Sequence, residues 1–184
     1  DHGMGPYEPK DTLRVISCST ISELKRVHLI PELLKSLGRP VHWTHIGDGP
    51  MISIVRQIME QENNQVRATL LGFITPDQVA EVYKEIAFDI FLHLSSSEGI
   101  PVSMMEAISF GIPIVATEVG AVPEIVNNST GNLLAEELDM ESWTTSLQKA
   151  LDSLPNRASV RMFWEENFKA ETNYPIFAQK LYES

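Results

Sequence analysis

The chain has 184 residues, 43% apolar, 21% charged and 8% aromatic, a length that suits about one domain with a proper hydrophobic core. Its 14 Lys and Arg against 25 Asp and Glu leave a formal charge of −11, which argues against a general nucleic-acid binder, because that role needs a basic face to neutralise phosphates. No apolar run approaches the roughly 20 residues that span a bilayer, and no signal-peptide pattern opens the chain. The lone Cys18 excludes an intrachain disulfide and any cysteine-rich zinc site. These features lead to the expectation of a cytoplasmic, acidic domain. The start at Asp1 suggests a piece of a longer polypeptide.

Residues 1–12 hold two Gly and two Pro and read as an extended lead-in. Apolar runs then alternate with amphipathic stretches. Strands are predicted at 13–17, 41–46, 68–71, 89–94 and 113–117, with a weaker one at 131–134. Helical spacing falls at 22–37, 50–62, 76–87 and 101–110, with a short piece near 122–128. Thr75-Pro76-Asp77-Gln78 has the form of a capping box that starts the third helix. Nearly continuous apolar strands alternating with helices predict an α/β fold, a doubly wound parallel sheet of about six strands. The tail reads as consecutive helices at 139–153, 157–168 and 174–183. The implied organisation is a lead-in over 1–12, a Rossmann-like domain over 13–154 and C-terminal helices over 155–184.

In a parallel sheet, ligands sit at the carboxyl ends of the strands, so the residues after each apolar run carry the information. After the fourth run comes SSSEGIPVSMME, residues 95–106. Gly99 permits a tight turn, and Pro101 suits a first helical position. The amides of roughly residues 102–104 then lack intrahelical partners and form an anion site at the sheet edge. Glu98 stands just before that site, and Glu106 lies about one turn inside the helix. On their own the two carboxylates read more readily as a solvated pair on a loop and helix. They make chemical sense around a diphosphate carrying polyols at both ends, since carboxylates accept hydrogen bonds from paired hydroxyls.

The segment EGIPVSMMEAISFGIPIVATEVGAVPEIV, residues 98–126, resembles the Glu-x(7)-Glu region of family 4 glycosyltransferases, group 1 type, and the likeness extends over about 13–152. The resemblance implies the C-terminal, donor-binding domain of a GT-B enzyme. Glu98 would then contact the donor sugar's hydroxyls and Glu106 the ribose diol. The backbone of Gly99, Ile100, Pro101, Val102 and Ser103 would face diphosphate or sugar. Lys25 matches the family's diphosphate-binding lysine. Thr20 stands where the family often has an arginine, so charge compensation rests on Lys25. Gly47 and Gly49 resemble the family's glycine loop, and Gly72-Phe73 falls where the family sets the nucleobase against main chain. Gly120 and Glu124 match a Gly-x-x-x-Glu stretch, in which Glu124 serves a short helix.

The resemblance also implies the activity: transfer of a hexosyl group from a nucleoside-diphosphate sugar with retention, as in bacterial polysaccharide biosynthesis. No bound metal or other cofactor is expected, and no Asp-x-Asp is present. The partners are the nucleotide-sugar donor and an N-terminal acceptor domain lying outside this sequence. Toward that domain the aromatics Trp164, Phe168, Tyr174, Phe177 and Tyr182 would present an apolar patch. Peripheral association with the inner face of the membrane stays open. Two other readings are a GT-B nucleotide-sugar epimerase and a non-catalytic nucleotide-sugar-binding module.

Other residues read as structural. His42 and His45, three apart in a strand, face opposite sides and cannot share a metal. His93, near a strand end from which it could reach the crevice, reads first as a satisfied core histidine, Arg26 as a solvated helix residue, Cys18 as an unreactive thiol and 127–130 as a turn. The absence of Gly-x-Gly-x-x-Gly weighs against a dehydrogenase.

Overall fold

The computed structural model describes residues 3–6, 11–60, 65–137 and 139–169. Six strands, β1 Leu13–Cys18, β2 Val41–Ile46, β3 Val66–Leu70, β4 Ile90–His93, β5 Ile114–Thr117 and β6 Gly131–Leu134, form one sheet in the order β3-β2-β1-β4-β5-β6. Every neighbouring pair is parallel. The helices are α1 Ile30–Ser36, α2 Ile52–Glu60, α3 Pro76–Glu85, α4 Val102–Ser109, α5 Val122–Ile125, α6 Met140–Asp152 and α7 Arg157–Asn167.

Alternation along β1 explains the layering. Val15 faces one way, in a cluster with Leu33 and Leu34 of α1, Val55 of α2 and Trp143 and Leu147 of α6. Ile16 faces the other, with Tyr83 of α3, Met104 and Ile108 of α4, Val122 of α5 and Val160 of α7. Helices on both faces leave β4 and β5 buried along their whole length, which is why those strands lack a polar alternation. Each large aliphatic side chain so buried contributes about 1.5–3 kcal/mol relative to exposure.

The six strands and the capping box match their sequence expectation: Thr75 accepts from the Gln78 amide, and the Gln78 side chain accepts from the Thr75 amide. The predicted helix over 22–37 does not form as one piece. Residues 22–26 make turns, Val27–Leu29 make one 3-10 turn, and only Ile30–Ser36 is α-helical. Arg26 takes a left-handed φ of 49°, which interrupts a right-handed helix. Pro31 in the first turn of α1 then fits a fresh start, where its missing N–H costs nothing.

The end of the described chain folds back onto the body. Arg157 donates to the carbonyls of Phe88 and Phe110 at 2.8 and 2.9 Å, and Arg161 donates to the Ser109 carbonyl and lies 4.5 Å from the Trp164 ring centroid. Trp164 and Phe168 are partly buried against the second cluster, so these two rings pack within the domain. The helix predicted at 174–183, with Tyr174, Phe177 and Tyr182, lies outside the described residues. Among the described residues no helix is long and apolar enough to cross a membrane.

Candidate functional site

The strand order places the only reversal of winding between β1 and β4. The chain leaves β1 toward α1 on one face and leaves β4 toward α4 on the other. The loops at their carboxyl ends therefore diverge and open a crevice, the usual ligand position in such sheets. The loop after β1 carries Thr20 and Lys25, and the loop after β4 carries Glu98. The two loops are tied together: the Ser96 amide donates to the Leu24 carbonyl at 2.9 Å, and the Ser95 and Ser96 hydroxyls donate to the same oxygen.

That tie brings Lys25 and Glu98 into contact, 73 residues apart in sequence. Lys25 Nζ donates to Glu98 Oε1 at 2.6 Å, with the lysine side chain 23% exposed and the glutamate 6%. His93 Nε2 bonds the same Oε1. Burial pushes the Glu98 carboxyl up, but the hydrogen bonds and charges of His93 and Lys25 outweigh it and hold the group down at about 2. Glu98 is thus ionised at any physiological pH. His93 is the buried, hydrogen-bonded histidine that the sequence suggests, and the partner that satisfies it is Glu98. The available signal was an imidazole at the end of an otherwise apolar buried strand, where an unsatisfied polar group would be costly.

Glu106 lies on α4, in a hollow of about 180 Å³ lined by Pro76, Val79 and Tyr83 of α3 with Ser109 and Phe110. Among the described residues its carboxylate has no hydrogen-bond partner, and burial raises its pKa. Val79 also lines the neighbouring hollow of about 250 Å³ formed by Cys18, Ser19, Thr20, Gly47, Asp48 and Phe73. Val79 thus borders both hollows, one at the carboxyl edge beside Thr20 and one between α3 and α4 beside Glu106. Burial, with the Glu106 charge adding, pushes the Cys18 thiol up to about 11, consistent with an unreactive thiol.

Pro101 is the N-cap of α4 rather than its first helical residue. The Met104 amide bonds the Pro101 carbonyl at 3.0 Å, so the free amides at this end are those of Val102 and Ser103. The side chains of Ile100 and Val102 stand 56% and 61% exposed beside them.

The glycines serve differently from expectation. Gly99 has no left-handed φ, and open space surrounds the position of a Cβ there. Gly120 carries the constraint instead: its φ is 52°, and a Cβ would lie 1.9 Å from the Glu98 carbonyl oxygen. Gly47 and Gly49 are filled by the chain's own backbone, since Cβ atoms there would lie 2.0 Å from the Ser19 oxygen and 2.4 Å from the Ile21 oxygen. Gly72 bridges to Gly47, whose amide donates to its carbonyl at 2.8 Å, and the adjacent Phe73 ring is 86% exposed. Arg26 is no solvated helix residue; it reaches the Glu136 carbonyl at 3.2 Å and its carboxylate at 3.8 Å. Glu124 sits in the first turn of α5.

A parallel sheet wound this way, with its crevice at the β1–β4 reversal, is the architecture of a Rossmann-like half of a GT-B protein. The chain belongs to the glycosyl transferases group 1, whose family model matches residues 6–163. It is similar to the amylovoran biosynthesis glycosyltransferase AmsK of Erwinia amylovora, 28% identical over 182 residues, covering 92% of this chain and 44% of that protein. It also resembles the putative colanic acid biosynthesis glycosyltransferase WcaL of Escherichia coli K12, 31% identical over 140 residues, covering 71% of this chain and 34% of that one. The chain therefore spans less than half the length of these relatives. Among solved structures, the lipopolysaccharide outer core galactosyltransferase WaaB superposes with a TM-score of 0.78 at 18% identity, over 98% of this chain and 51% of that chain. Anabaena Alr3699/HepE, solved in complex with UDP, superposes with a TM-score of 0.70 at 20% identity, over 95% and 50%.

Proposed function

We propose that this chain is the nucleotide-sugar-binding half of a retaining hexosyltransferase that works with a second, acceptor-binding domain. The observation that carries the reading is the convergence of Lys25, Glu98 and the free amides of α4 at the β1–β4 reversal, with the unpaired Glu106 on the same helix. A solved neighbour of the same fold holds UDP, which supports a nucleoside diphosphate as the ligand class.

In this reading Lys25 and the amides of Val102 and Ser103 take the diphosphate, and the backbone of Gly99, Ile100 and Pro101 borders it. Glu98 accepts hydrogen bonds from the hexose, and Glu106 accepts from the ribose diol. The backbone at Gly72 and Phe73 borders the base, with Thr20, Gly47 and Gly49 shaping the floor. The chemistry is electrostatic: a cation and helix-end amides stabilise the departing diphosphate, while Glu98 orients the sugar. Glu98 is not the general acid of a glycosidase, because its carboxylate is ionised. Lys25 supplies cationic charge without a divalent metal. The likeness to amylovoran and colanic acid biosynthesis proteins supports a role in polysaccharide assembly.

Calorimetric titration of the chain with UDP, GDP, ADP and their hexose conjugates tests the reading. Binding of one base in preference to the others is expected, weakened in Glu106→Ala. No heat with any of them at millimolar concentration sinks it.

A further inference from the structure

His93 is the residue of this site that the reading above leaves without a role. It closes β4 on the face that carries Phe91, whose ring lies nearly parallel to the imidazole, 18° apart with centroids 6.3 Å apart. It is 3% exposed. A carboxylate only accepts, so the imidazole nitrogen facing Glu98 must carry the hydrogen. Two donors, His93 Nε2 and Lys25 Nζ, therefore converge on one oxygen, Oε1. The other oxygen, Oε2, takes no hydrogen bond among the described residues and is not among the buried unpaired atoms, so it is open to the crevice.

We infer that His93 is a positioning residue: it pins Oε1 of Glu98 from beneath so that Oε2 stays free, and turned outward, for a hydroxyl of the donor sugar. The inference rests on the donor-site reading above. Lys25 alone could not do this. A flexible ammonium has three donors and follows the carboxylate as it rotates, and it is also the group a diphosphate would draw away. The imidazole is different: strand β4 and the Phe91 ring fix it, and no ligand reaches it. The carboxylate keeps its orientation when Lys25 turns to a phosphate, so recognition of the sugar and of the diphosphate are separable.

The test compares a nucleotide with its sugar conjugate. UDP, UDP-glucose and UDP-N-acetylglucosamine, and GDP with GDP-mannose, are titrated into the chain and into His93→Leu and His93→Gln. Glutamine places an amide N–H near where the imidazole Nε2 stood; leucine places none. For the base that binds, His93→Leu is expected to lower affinity for the sugar conjugate about tenfold, the loss of one hydrogen bond to a charged acceptor. Affinity for the bare diphosphate stays within about twofold. His93→Gln recovers most of the loss. Equal loss for both ligands, no loss for either, or glutamine no better than leucine overturns the inference. A ligand-independent measurement keeps it distinguishable from the donor reading: the Glu98 carboxyl, followed by carbon NMR, titrates higher in His93→Leu than in the parent. If the parent binds no nucleotide, the donor reading falls; an unmoved Glu98 titration overturns the positioning role by itself.

Discussion

Removing the ammonium of Lys25 while keeping its length, as Lys25→Met, separates its two tasks. In the free chain it neutralises Glu98; in the proposed complex it meets the diphosphate. At the observed 2.6 Å the attraction between unit charges is about 6 kcal/mol in a medium of effective dielectric about 20. Desolvation of a 6% exposed carboxylate and a 23% exposed ammonium consumes much of this. His93 remains as a second donor, so the net loss of folding stability should be only about 1–2 kcal/mol. Loss of one charge-assisted contact to the diphosphate is worth about 1.5–3 kcal/mol, or roughly 10–150-fold in affinity. The double variant Lys25→Met/Glu98→Gln discriminates between the tasks. Neutralising both partners removes the unpaired charge, so stability returns close to the parent, while nucleoside-diphosphate affinity stays low. Urea denaturation gives the first quantity and calorimetry with the bound nucleotide the second, both at low salt, where surface screening is least. If the double variant recovers affinity as well as stability, or the single variant binds within about twofold of the parent, Lys25 does not contact the diphosphate.

Three further outcomes are expected. Gly120→Ala should cost about 2 kcal/mol or more, from the left-handed backbone and the collision with the Glu98 carbonyl, whereas Gly99→Ala, in open space, should change stability by no more than about 0.5 kcal/mol; thermal melts of the pair check this, and equal effects refute it. Glu106 is raised by burial, so it favours folding below its unfolded pKa and loses that contribution as pH rises through its folded value. Glu106→Gln should therefore gain stability relative to the parent between pH 4 and 7, measured by urea melts, while binding nucleotide more weakly. Arg14, His42 and Arg67 stand in register across three strands, and His42 is lowered by burial first and then by both arginines. Arg67→Thr should raise the His42 titration midpoint in a proton NMR titration and add about 0.2–1 kcal/mol, the gain growing as pH falls through the imidazole range, because a depressed histidine withdraws stability on protonation.

The sheet was legible because its central strands are buried on both faces and its strands read as short β-rich runs. Val41–Ile46 and Gly131–Leu134 fall on the expected residues. The helix expected at 22–37 was not legible. Its apolar spacing continues through Leu24, Val27 and Leu34, yet the left-handed Arg26 breaks it, and nothing about an arginine announces that conformation. The break matters for function, since the irregular segment places Lys25 beside Glu98. Glu98, Glu106 and Lys25 stood out through family resemblance; the adjacency of β1 and β4 brings Lys25 to Glu98, while Glu106 lies apart between α3 and α4. The partner of His93 was not legible, because a histidine inside DIFLHL has the same periodicity whether it packs in the core or meets a carboxylate around the next bend.

The glycines show most clearly how the site is built. Their pattern suggested backbone drawn close to a ligand, but three of them let one loop touch another. Gly47 seats the Ser19 carbonyl, Gly49 the Ile21 backbone and Gly120 the Glu98 backbone. Hydrogen bonds run along the same contacts: the Ile21 amide to the Asp48 carbonyl at 3.0 Å, the Met51 amide to the Ile21 carbonyl at 3.1 Å, and the Ser96 amide to the Leu24 carbonyl at 2.9 Å. The loops after β1, β2, β4 and β5 are thereby locked into one rim. A site that works by electrostatics needs such a rim, because dipoles and charges fixed beforehand need not reorganise when charge develops on a leaving group. In a chain of formal charge −11, the Lys25 ammonium at that rim is held by an ionised carboxylate, and in the proposed complex it would be shared with a phosphate without the rim itself moving.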